Sequence, residues 1–381
     1  MDLQQTQGVP KLSNGKSYYK RKLHLQNLCI YDLQQEKAYM YTWEEHTAKR
    51  GSVEIYSCLN KWLNDHLYTR SQYPRNLKIF ADNCGGQNKN NNIVLALLMN
   101  IHKRHFDRIE LGFLVPGHSY LACDRKFGDI GKEYAKEPYI PSPNWYRKHM
   151  KLGLGDRDLI HHMERRDFLN IETLLDNPTR KAYIRPTKDK VFQKSAVIVM
   201  DRKFLSGYLL QDRFNMNANE GKKIFVNLPG QDIKDFDLSK VTLEPKYPEE
   251  RKLDLKKLKD LEELRKFIGD PDDHQWILDL KESQTMLKQT HEQSAEDIDE
   301  PSEGPVDAQS DEDVDEPSEG QVDAAENDSD YEPPNPGPST SRKDINLRKR
   351  KIPPVLESED LDRIMEVEEV KRRPRGRPKK N

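Results

Sequence analysis

The chain is short of apolar side chains. They fill 34% of its 381 positions, no more than charged residues do, and the mean hydropathy is −0.97. A single compact domain of this length would hold more of them, so part of the chain is expected to stay unfolded. Long apolar runs are lacking too. The longest, residues 93–99, is far too short to cross a bilayer, and the opening MDLQQTQGVPKLSNGK has no apolar stretch of the kind a signal peptide needs. A soluble, intracellular protein with no membrane partner is expected. Cysteine is scarce, at Cys29, Cys58, Cys84 and Cys123 only, with no C-x-x-C pair and no zinc-finger spacing to a histidine. That excludes a disulfide scaffold or a zinc ribbon and leaves buried, reduced thiols. Finally, lysine and arginine are absent between Lys288 and Arg342. The formal net charge of −2 conceals this asymmetry.

What fills that gap is acid. Residues 297–308 (DIDEPSEGPVDA) recur as 313–324 (DVDEPSEGQVDA). Two polar copies cannot build a core, and their like charges repel, so the stretch reads as a disordered acidic linker and not as a solenoid. PPNPGPSTS at 333–341 continues it. The last forty residues are basic, with Arg348–Lys351 and the run KRRPRGRPKK from Lys371 to Lys380. Four segments follow: 1–135, 136–288, 289–341 and 342–381.

The first segment alternates element types. A strand stub at 1–5 precedes strand-like 23–31 (LHLQNLCIY) and 38–43. Ile55, Cys58, Leu59, Trp62 and Leu63 recur at helical spacing over 53–65. A short buried strand at 77–81 ends in DNCGG, a helix at 91–102 opens on asparagine caps, a strand at 109–115 is closed by Pro116-Gly117, and a helix starts near Asp124. Three strands, then helix, strand, helix, strand, helix, build a mixed sheet with helices on its faces, because parallel strands need such crossovers. This is also the order of the RNase H-like fold, so the expectation is an α/β, RNase H-like mixed five-stranded sheet flanked by helices. Residues 136–288 read as a small mixed α+β extension, with strands at 182–184, 196–200 and 223–227. Its charged helix at 250–268 carries Leu255, Leu258 and Leu261 on one side, as a docking or capping element.

Phosphoryl transfer between nucleic-acid strands uses two divalent ions roughly 4 Å apart. Magnesium accepts a few carboxylates and keeps waters, so three acids from different elements suffice. In an RNase H-like sheet these come from the first strand, the end of the fourth, and a helix after the fifth. Asp82 closes an apolar strand and opens the polar turn NCGGQN, where glycines let backbone approach a phosphate; an aspartate that merely caps a turn fits equally well. Asp124 holds the third place, with helix capping as its plain alternative. The first acid is Asp2 or Asp32. Choosing Asp32 leaves only two strands before the first helix, which favours Asp2. His118 stands where it could contact a scissile phosphate, or is simply a turn residue. Glu44 and Glu45 read as surface or supporting groups.

The stretches DLQQ…P at 2–10, YYKRKLHLQNLCIYDL at 18–33, MYTWEEHTAKRGSVEIYSCL at 40–59, ADNCGGQNKN at 81–90 and VPGHSYLACDRKFG at 115–128 resemble the C-terminal half of animal transposon-derived proteins with an RNase H-like DDE-type transposase domain. The resemblance implies catalytic, metal-binding carboxylates at Asp2, Asp82 and Asp124, Mg2+ or Mn2+ as cofactor, and DNA as ancestral substrate. Such proteins usually carry a long portion before this point, so the resemblance also implies truncation at the N-terminus. An aspartate next to a free amino terminus would sit on a fraying stub, and the site is expected to be degenerate.

In the tail, Pro374-Arg-Gly-Arg-Pro378 is similar to an AT-hook. Prolines hold an extended path, Gly376 hugs the groove floor, and Arg375 and Arg377 enter the narrow minor groove of A·T-rich DNA. Lys371, Arg372, Arg373, Lys379 and Lys380 would neutralise phosphates. Arg348–Lys351 reads as a nuclear localisation signal. Two functions from different classes remain: a metal-dependent DNA nuclease or transposase, and a non-catalytic nuclear protein that binds chromatin or A·T-rich DNA.

Overall fold

The computed structural model describes residues 1–114, 121–176, 191–203, 205, 207–212, 223–227 and 237–296. The turn bearing His118, the strand expected at 182–184 and everything beyond 296 lie outside the described residues. The described residues group by their contacts into one compact unit.

The chain opens with an antiparallel meander. β1 (Asp2–Leu3) and β2 (Gln7–Val9) pair with the same edge of β3 (Leu23–Asp32), Asp2 opposite Cys29 and Gln7 opposite Leu25. Leu3 and Gln7 are one residue further apart than their partners Leu28 and Leu25, so β1 and β2 are one strand broken by a bulge. After the short helix α1 (Gly15–Tyr18), β3 turns back into β4 (Lys37–Glu44). Next come α2 (Ser52–Trp62), a π-helical turn (Leu63–Leu67), β5 (Asn76–Ala81), α3 (Asn91–His102), β6 (Arg108–Phe113) and α4 (Ala122–Lys136). β5 and β6 run parallel, and α3 is the crossover that parallel pairing demands.

The remaining elements are woven into this frame rather than appended to it. After α5 (Pro143–Leu152), β7 (Leu159–His162) lies parallel to β4. Beyond α6 (Thr173–Asp176) and α7 (Val191–Lys194), β8 (Val197–Asp201) pairs with β6. β9 (Gly207–Gln211) and β10 (Lys223–Asn227) follow outward from it. In place of one five-stranded sheet there are two: β1-β3-β4-β7 with β2 also on β3, and β10-β9-β8-β6-β5. They meet where the Met1 ammonium donates to the Phe80 carbonyl of β5 at 2.7 Å. The fold class is mixed α/β, a mixed sheet arrangement flanked by helices.

Side-chain alternation explains the layering. Leu28 and Ile30 of β3, with Tyr39, Tyr41 and Trp43 of β4, enter one core that also takes in α2 and α3. Their neighbours Leu25, Cys29, Ala38 and Met40 face the other way, against Cys123 and Ile130 of α4 and Tyr146 and Met150 of α5. Both faces are covered, which is why these strands read as nearly continuous apolar runs. Helices α8 (Leu255–Arg265) and α9 (Pro271–Glu296) close one end through a third cluster, Leu261, Leu264, Ile277 and Leu280 on Leu12 and Leu23. Leu255, expected on the docking face, is exposed, while Leu264 is buried in its stead.

Candidate functional site

Three local structures carry the acids singled out by sequence. β5 buries Ile79 and Ala81, then releases the chain at Asp82 into a polar turn. Within that turn the N–H groups of Gln87, Asn88 and Lys89 all donate to the Cys84 carbonyl, at 3.3, 2.9 and 3.0 Å. Asn90 ends it as the N-cap of α3, accepting from Ile93 N at 3.1 Å. A Cβ at Gly85 or Gly86 would meet nothing within 4 Å, so the glycines border open space. β1 places Asp2 beside Cys29, and Cys123 of α4 donates its thiol to the Cys29 carbonyl at 3.3 Å. That contact seats the first turn of α4, and with it Asp124, against β3.

Asp2 feels the other two carboxyls. Burial is the main force that raises Asp2 from 3.8 to about 6, and the negative charges of Asp124 and Asp82 push the same way. The Leu3 amide and the terminal ammonium oppose them. Burial of the carboxyl thus dominates, and the two nearby negative charges add to it. Each acid also does plain structural work with one oxygen, as foreseen for Asp82 and Asp124. Asp2 Oδ1 accepts from Leu3 N at 2.9 Å, Asp124 Oδ2 from the N-cap amide of Leu121 at 2.6 Å, and Asp82 Oδ1 from Asn88 Nδ2 and from Cys84 N. The second oxygen of each has no hydrogen-bond partner among the described residues. Among the described residues no three His, Cys, Asp or Glu side chains are gathered closely enough to hold a metal ion. The acids are electrostatic neighbours, not a closed cage.

Two neighbours in the turn escaped the sequence reading. Asn88 is buried and holds Asp82 by its amide. Lys89 is buried too, donates to the Ser195 carbonyl at 2.6 Å and lies 4.8 Å over the Phe113 ring. Burial draws its ammonium down to about 8. The GGQNKN pattern flagged this turn as polar, but nothing in it foretold a lysine folded inward to tie β5's exit to β8.

The other candidates are placed apart. Asp32 caps Gln34 N at 2.9 Å and pairs with Arg70 at 2.5 Å, so its carboxylate is spent on the β3–β4 turn. Glu44 is buried, not at the surface. Burial works to raise its pKa, but the His162 hydrogen bond and the charges of Arg147 and His162 prevail and bring it to about 2. Glu45 joins β4 to α8 through Lys257 at 2.7 Å. Cys29, Cys58 and Cys123 are buried free thiols, Cys84 a half-buried one.

Comparison with curated proteins and with solved structures finds no match. Residues 16–192 of the 381 match a family model described as a domain of unknown function (DUF7869). That stretch holds Asp82 and Asp124 and begins after Asp2.

Proposed function

We propose that residues 1–136 form an RNase H-like scaffold of transposase descent, and that Asp2, Asp82 and Asp124 are its site for divalent metal and DNA phosphate. The observation that carries this reading is the placement of three acids on β1, at the end of β5 and at the start of α4, with the charges of Asp124 and Asp82 both acting on Asp2. A meander followed by two parallel strands supports the same reading. Magnesium keeps several waters and needs only one or two carboxylates, so Mg2+ or Mn2+ held by one or two of these acids would neutralise charge that helps to raise Asp2. It would supply charge stabilisation at a phosphate and activate water there. The residues' own part is to hold the carboxyls in place: Asn88 fixes Asp82, Leu121 N fixes Asp124, and Leu3 N fixes Asp2. The basic tail, through Arg373, Arg375, Arg377, Lys379 and Lys380, would hold the protein on A·T-rich DNA in the nucleus.

A non-catalytic DNA-binding role is the second reading, favoured by the lack of a three-ligand cluster among the described residues. Nicking of supercoiled plasmid with Mg2+ or Mn2+ separates the two. The first reading expects slow nicking by the parent, abolished in Asp82→Asn with the fold intact. Nicking that persists in that variant removes the acids from the chemistry. A parent without activity that still binds DNA leaves the second reading.

A further inference from the structure

Two histidines on elements that periodicity did not disclose face each other. His66 lies in the π-helical turn Leu63–Leu67, closed by Tyr68 N donating to Leu63 O at 2.8 Å. The extra residue in such a turn rotates the side chains around it out of the α-helical frame, and these turns recur at functional sites. His161 lies on β7, opposite Tyr41 of β4. The two Nε2 atoms are 3.0 Å apart. Only one proton fits on the line between them, so one nitrogen offers it and the other a lone pair.

The surroundings are aromatic. His161 stacks on Tyr41, with ring centroids 5.0 Å apart and planes 15° from parallel, and His66 lies 4.5 Å from the Tyr39 ring. Tyr41 is fully buried, and its hydroxyl has no hydrogen-bond partner among the described residues. The same holds for the indole N–H of Trp62, whose ring lies 6.1 Å from Tyr39. Buried polar groups left unsatisfied by protein call for an explanation, and here two of them flank one imidazole pair.

We propose that His66 and His161 bind one borderline divalent transition-metal ion, of the zinc class, through their Nε2 atoms. On binding, the ring that carries its proton on Nε2 shifts to the Nδ1–H tautomer, so that both neutral rings direct an Nε2 lone pair at the cation. Zn–N bonds of 2.0–2.1 Å in a tetrahedral site set the nitrogens about 3.3 Å apart, a few tenths of an ångström from the observed spacing. Neutral imidazole suits zinc, copper or nickel and not magnesium, which separates this site from the carboxylates. Burial lowers the pKa of both rings, His161 to about 4. The charged groups acting on the pair are Asp65, Lys61, Lys37 and Arg70. Lys61 is paired with Asp167 at 3.3 Å and Arg70 with Asp32, while Lys37 lies 5.0 Å over the Tyr39 ring. Asp65, whose carboxylate contacts Lys61 at 3.5 Å, supplies negative charge. Water would complete the coordination.

Calorimetric titration of the full chain with zinc, in excess Mg2+ to occupy carboxylates, tests the site. The expected result is one equivalent bound, weakened about tenfold or more in both His66→Gln and His161→Gln and unchanged in Asp82→Asn. His66 and His161 are both half-buried, so both glutamine variants are expected to keep the fold. Zinc binding that is absent from the parent, equal in parent and both glutamine variants, or lost only in Asp82→Asn overturns the proposal.

Discussion

At the scale of single residues, the account turns on why an aspartate should be found where its charge is unwelcome. Asp2 is raised to about 6 from its ordinary 3.8 by burial, with Asp124 and Asp82 adding to it. A folded-state pKa above the unfolded one means that folding favours the protonated acid. Its stabilising share is therefore complete below about pH 4 and is lost as pH rises through about 6. In chelator, Asp2→Asn should match the parent in urea denaturation at pH 4 and exceed it by about 1–2 kcal/mol at pH 8, after allowance for partial solvent screening. An unchanged gap between the two pH values would show that Asp2 feels no such repulsion. Stability given up at neutral pH is what a binding residue is expected to cost.

At the scale of elements, close approach of α4 and α5 sets where Asp124 stands. Gly153 ends α5 against α4, and a Cβ there would lie 2.8 Å from the backbone of Ile130. Gly153→Ala must force the helices apart, and we expect a loss of about 1–3 kcal/mol in urea denaturation. A neutral result would mean that α4 shifts without resistance. Much of this level was legible in the sequence. Helix 91–102 and strand 223–227 match their expected bounds, because NNIVLALLMNIH is long and capped and KIFVN is a short run of β-branched and aromatic residues. Other elements left no such trace. β2 is hidden by the bulge that flips its alternation, β7 (LIHH) is short and defined by its neighbour β4, and β9 (GYLLQ) lacks a pattern. α5 did leave a signal, Ser142 before Pro143, which is a cap followed by a first-turn proline. Of the proposed site, the sequence marked three acids, and each stands at the end of an element. Their hydrogen bonds were not legible, because Leu121, Asn88 and Leu3 become partners only once the turns close.

At the scale of the whole molecule, the segments assigned separately at 1–135 and 136–288 share sheets, since β7 adds to β4 and β8 to β6. A boundary at 135 would cut both ladders. Composition could not reveal this, because strand partners distant in sequence leave no mark on local pattern. The tail belongs to this scale through charge. With Arg375 and Arg377 both changed to Ala, binding to A·T-rich duplexes should fall more than binding to G·C-rich ones, read by fluorescence anisotropy at fixed salt. Equal losses on both would make the tail a nonspecific cation.

The central claim is that Asp2, Asp82 and Asp124 act together on a divalent cation. Mn2+ binding, measured on the parent and on Asp82→Asn and Asp124→Asn by the spin resonance of free Mn2+, tests it most directly. The acidic stretch at 297–341 contributes the same weak background to all three proteins. The account predicts one site in the parent above that background, weakened about tenfold or more by either substitution. Equal Mn2+ binding in all three proteins would contradict it.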